Sequence, residues 1–101
     1  MKVYFSELAE SKLLRLSDYL MENWDLKTRN KFIDKLTSKI RQISLQPESC
    51  PVSEEIKGLY KCVVTKQTTF YYRIRHQANE IEIITIFDTR QDPAKLKKSN
   101  Y

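Results

Sequence analysis

A chain of 101 residues that is 41% hydrophobic and 31% charged, with one glycine and three prolines, has the composition of one globular domain spanning residues 1–101 and excludes disordered or low-complexity classes. No run of about 18 apolar residues occurs, and the opening MKVYF lacks the apolar region of an export signal, so no membrane span is expected and the cytoplasm is the expected location. The net charge of +5 is uneven: residues 1–56 carry nine Lys/Arg and nine Asp/Glu, residues 57–101 nine against four, which points the second half toward polyanions or acidic partners.

KVYF alternates and suits a short first strand ending near Phe5. Ser6 offers an N-cap oxygen, with Glu7 and Glu10 in the first turn. Ala9, Leu13, Leu16 and Leu20 then form one apolar stripe on a helix to about Asn23. A second helix begins at about Leu26 or Thr28, carries Phe32, Leu36, Ile40 and Ile43 on one side, and stops before QPESCP, where Pro47 and Pro51 bar its continuation. Residues 59–66, 69–75 and 80–87 are β-branched and aromatic. Their short connections join only antiparallel neighbours, giving a three-stranded meander. The order β-α-α-β-β-β is an α+β fold, a helical hairpin packed on one face of an antiparallel sheet. Asp92 before Pro93 fits a helix start, so DPAKLKK reads as a short basic terminal helix.

The period of two sorts the strand residues by face. Phe70, Tyr72 and Ile74 share one side; Tyr71, Arg73 and Arg75 share the other, and Lys61 stands opposite Tyr60 and Cys62. Two readings of the cationic side stand: a solvated sheet face, or a surface that meets something anionic. Cys50 and Cys62 belong to no C-x-x-C pair and are expected as reduced thiols. With His76 the only histidine and no Cys/His cluster, no metal or cofactor is implied.

LYKCVV, FYYRIR and above all IITIFDTRQDPAKL, with Arg90, Asp92 and Pro93 after the last strand, resemble the RelE/ParE superfamily of small bacterial toxins from type II toxin-antitoxin systems. Within it the likeness is to the ParE-type plasmid-stabilisation proteins, and it covers nearly the whole chain. The resemblance implies a growth-inhibiting toxin held inactive in a hetero-oligomer with a cognate antitoxin. ParE-like members are described as inhibitors of DNA gyrase, which requires a binding surface; here Lys61, Lys66, Tyr71, Arg73, Arg75 and Arg90 would form it. RelE-like members instead cut mRNA on the ribosome without a metal. In that case Lys61, Arg73 and Arg90 would stabilise the phosphorane and His76 would be the candidate acid or base. The thin supply of acid-base groups favours the gyrase reading, so whether the chain is an enzyme is left open. A third reading is a non-toxic basic module that binds RNA or an acidic protein. Arg90 itself has two readings: it converges with Arg73 and Lys61 on an anion, or it pairs with Asp88 or Asp92 and fixes the strand exit.

Overall fold

Ser6 joins the two layers of the fold. Its hydroxyl accepts from the Ala9 N–H at 3.0 Å, capping the first helix, and donates to the Ile84 carbonyl at 2.7 Å, while its own N–H donates to the Ile83 carbonyl at 2.9 Å. The helix therefore starts beside the last strand. The computed structural model describes residues 1–91, as strand β1 (Lys2–Phe5), helices α1 (Glu7–Asn23) and α2 (Leu26–Leu45), and strands β2 (Tyr60–Val63), β3 (Thr68–Arg75) and β4 (Glu80–Asp88), with a 3₁₀ turn at His76–Ala78. Asp25 caps α2, its carboxylate accepting from the Thr28 N–H at 2.7 Å. The helix expected over DPAKLKK lies outside the described residues.

The sheet order is β1-β4-β3-β2. The antiparallel meander expected for the last three strands is present. β1 adds to it in parallel beside β4, because the helical hairpin carries the chain across one face before β2 begins; the sheet is thus mixed. At the far end of the hairpin the Met1 ammonium donates to the Ser44 carbonyl and the Ser44 hydroxyl to the Met1 carbonyl, which ties α2 to β1.

The core lies between hairpin and sheet. Leu16, Leu20, Leu36 and Ile43 meet Phe70, Tyr72, Ile81, Ile83 and Ile86, with Ile40 partly buried at the margin. The last strand is not regular along its length. Tyr71 pairs with Thr85 but Tyr72 pairs with Ile83, so Ile84 is a bulge. The bulge reverses the inward parity of β4: Ile81 and Ile83 face the helices before it, Ile86 and Asp88 after it.

Candidate functional site

Turned inward by the bulge, the Asp88 carboxylate is fully buried and is met from several directions. The Arg90 N–H donates to Oδ1 at 2.9 Å, Arg90 Nε to Oδ1 at 3.0 Å, Arg90 Nη2 to Oδ2 at 2.7 Å, and the Thr68 hydroxyl also reaches Oδ2. Burial pushes the Asp88 carboxyl up, but the hydrogen bonds from Arg90 and Thr68 outweigh it and hold the carboxyl below its ordinary value. Hydrogen bonding to Asp88 likewise raises the Arg90 guanidinium. The other side of Arg90 is fixed by α1: its guanidinium lies 5.6 Å from the centroid of the Trp24 ring, and the Tyr19 hydroxyl donates to its carbonyl at 2.9 Å. Of the two arrangements open for Arg90 in the sequence, the observed one is the pair with Asp88.

The outer sheet face is built from ion pairs. Arg73 Nη2 lies 2.6 Å from Glu82 Oε1, Arg75 Nη1 lies 3.6 Å from the same oxygen, and Arg75 also donates to the Tyr4 hydroxyl at 3.2 Å. Lys61 meets Glu55, from the loop before β2, at 2.8 Å, and that hydrogen bond raises the lysine and lowers the carboxyl. Lys66 is exposed in the turn before β3. Tyr71 requires a correction. Its alternation puts it on the outer face, where solvent exposure was expected, yet it is fully buried, edge-on to Phe87. Burial pushes its phenol up, and nearby Glu55 adds to this. Neither the Tyr71 hydroxyl nor that of its cross-strand partner Thr85 has a hydrogen-bond partner among the described residues.

The expected convergence of Arg90 with Arg73 and Lys61 does not form. Arg73 pairs across from Glu82 and Thr68 from Asp88, so the two arginines sit at opposite ends of the β3–β4 hairpin, about 17 Å apart along the strand at 3.3 Å per residue. Arg90 also faces the helices, while Arg73 and Lys61 belong to the outer face. Register sets the separation along the strands, and the bulge at Ile84, which strict alternation does not capture, sets the difference in face. His76 is exposed in the 3₁₀ turn beyond Arg75 and borders a shallow pocket of about 480 Å³ with Met1, Gln46, Pro47, Glu48 and Ser49, far from Arg90. No group of His, Cys, Asp and Glu suited to a metal occurs among the described residues, nor does any helix long and apolar enough to cross a membrane. The partners Glu55, Glu82, Tyr19 and Trp24 were not anticipated; for the two acids the signal was an acid near each cation in the observed register, and for the two aromatics the sequence offered none.

A helical hairpin on one face of a mixed four-stranded sheet, closed by an arginine clamp at the last strand's exit, defines a small α+β domain. The family model described as the ParE toxin of the type II toxin-antitoxin system parDE matches residues 3–93, and the chain belongs to this family. Among solved structures it is similar to the chromosomal ParDE TA system from P. aeruginosa, with TM-score 0.71 and 13% identity over 87% of this chain and 95% of that one. It is similar also to a YoeB/ParE toxin from Agrobacterium tumefaciens, with TM-score 0.63 and 16% identity over 87% and 98%. A metal-bound toxin from Helicobacter pylori gives TM-score 0.59 and 15% identity over 91% and 98%. At these identities the structural likeness establishes the fold alone. No curated protein matches significantly.

Proposed function

We propose that this chain inhibits growth by binding DNA gyrase and that a cognate antitoxin neutralises it in a heteromeric complex. The observation that carries this reading is the way its cations are used. Arg73, Lys61 and Arg90 are each engaged by a carboxylate at 2.6 to 2.8 Å, on two faces and at different points of the sheet. Stabilising a phosphorane asks for donors aimed together at one developing charge, and His76 stands apart from Arg90. Scattered, ion-paired cations suit a surface that recognises a protein. The matching antitoxin segment is expected to be acidic with apolar anchors and to bury more than about 1,200 Å² in total.

The test is inducible expression with and without the neighbouring gene, followed by separate supercoiling and ribosome-bound mRNA cleavage assays. Growth arrest relieved by the neighbour, with lost supercoiling and intact mRNA, is the expected result. Cut mRNA with normal supercoiling would replace this reading with that of a RelE-like endonuclease, and no growth effect would leave a non-toxic binding module.

A further inference from the structure

The even charge balance of residues 1–56 conceals a strong internal separation. Helix α2, residues 26–45, carries six Lys/Arg against the single acid Asp34. Lys27, Lys31, Lys35 and Lys39 succeed one another at intervals of four, so they lie on one ridge of the helix, about 6 Å apart along its axis. Lys27, Lys31 and Lys35 are exposed and Lys39 is half-buried. While the sheet cations Lys61, Arg73, Arg75 and Arg90 are all paired with carboxylates, none of these four lysines forms an ion pair among the described residues. Among the described residues the largest group of cations outside those ion pairs therefore lies on α2, with Asp34 the one acid beside them.

We propose that the exposed ridge of α2 docks on the phosphate backbone of duplex DNA. Three features choose this partner. Leu26 and Leu45 are exposed at the two ends of the helix and Trp24 just before it, but between Lys27 and Gln42 no large apolar or aromatic side chain is exposed, so the lysine ridge itself carries neither the anchors of a protein interface nor the stacking platform of a single-strand binder. The same polar side offers Thr28, Asn30 and Ser38, donors of the kind that accompany lysine on phosphates, with the exposed Asp34 the one acid among them. Lysine supplies point charges without the bidentate fork that selects carboxylates. The helix is a rod of 20 residues, and the major groove of B-form DNA admits such a rod where the narrow major groove of A-form RNA does not. Contact is with backbone, so binding is independent of sequence, and it stands whichever target the toxin proves to have.

The experiment is fluorescence anisotropy of the full chain with a labelled 20-base-pair DNA duplex over a salt series. Neutralising four phosphates gives a log–log slope of about −3.6, a loss of roughly 150-fold in affinity between 50 and 200 mM salt. The double variant Lys31→Gln/Lys35→Gln should flatten the slope by about 2. Lys57→Gln, an exposed lysine away from α2, should leave the slope and affinity near the original, and thermal melting confirms that each variant is folded. Equal weakening by Lys57→Gln overturns the assignment to α2. Stronger binding to an RNA duplex or to polyglutamate of matched charge overturns the choice of partner, and no salt-dependent binding of the duplex overturns the proposal as a whole.

Discussion

Asp88 grips Arg90 by both carboxylate oxygens, and the whole carboxylate is out of water. Removing the guanidinium strands a buried charge, so Arg90→Ala should cost about 3 kcal/mol, read as a fall in Tm of roughly 10 to 20 °C for a domain of this size. Arg90→Lys should recover only part, because lysine cannot span both oxygens. An unchanged Tm in Arg90→Ala would refute the clamp and return Arg90 to the exposed working surface.

The clamp also has an acid limb. Asp88 titrates below its ordinary value when folded, so its contribution is full above about pH 4, where the unfolded carboxyl is ionised, and is lost as pH falls through the folded pKa. In Arg90→Ala the burial that opposes ionisation is no longer outweighed. The stability gap between the two proteins should accordingly narrow as pH drops from 6 toward 3. Denaturant midpoints across that range check it; a gap that widens on acidification would contradict the assigned role of Asp88.

Most of the fold was legible because its signals are local. Ser6 caps where its side-chain oxygen faces a free N–H, the leucine stripes face the sheet, and the short connections dictate an antiparallel meander; the matching cap of the second helix, Asp25, was not anticipated. The site was less legible, since a single bulged residue, Ile84, exchanges the two faces for the rest of β4. Strict alternation would carry Asp88 outward, and with it Arg90 onto the face of Arg73; the bulge sends both to the helices. Tyr71 failed for a related reason: the period of two assigns a face, but only the packing of Phe87 and its neighbours decides whether that face is wet. Summing charge over residues 1–56 hid the α2 lysines behind the acids of α1 and of the loop before β2.

Tyr71 separates packing from recognition. Its hydroxyl is buried without a partner, and removing such a group while keeping the ring relieves a desolvation cost. Tyr71→Phe should leave stability unchanged or raise it by up to about 1 kcal/mol. Growth inhibition should also persist if Tyr71 only packs; a stable Tyr71→Phe protein that no longer arrests growth would place this hydroxyl in the target interface.

Leu16 and Leu36 are almost wholly buried, on different helices but in one cluster with Phe70 and Tyr72. Either change to Ala should cost about 2 to 5 kcal/mol, whereas Leu14→Ala, at an exposed position of α1, should stay within about 0.5 kcal/mol. Urea midpoints for the three variants test the helix register, and a Leu14 cost equal to that of Leu16 would overturn it.

Cys62 gives a chemical readout of the same core. The Lys61 N–H donates to the Pro51 carbonyl and the Ser53 N–H to the Leu59 carbonyl, both at 2.8 Å, with Val52 across from Tyr60 between them. One further step of this ladder brings Cys50 opposite Cys62, and both are buried unbonded thiols. Burial, with the neighbouring Cys50 thiol, pushes the Cys62 thiol up to about 12. Because the thiolate is the reactive form, at pH 8 it should react with a disulfide reagent on the order of 10³-fold more slowly than a free cysteine. Cys50→Ser leaves one thiol to follow and removes the Cys50 contribution, so the slowing there rests on burial alone and is smaller than in the unaltered protein, with full reactivity returning in urea. Native labelling of Cys62 at the free-thiol rate would mean that β2 and the loop before it open readily, and that the edge of the sheet is far less fixed than its hydrogen bonds indicate.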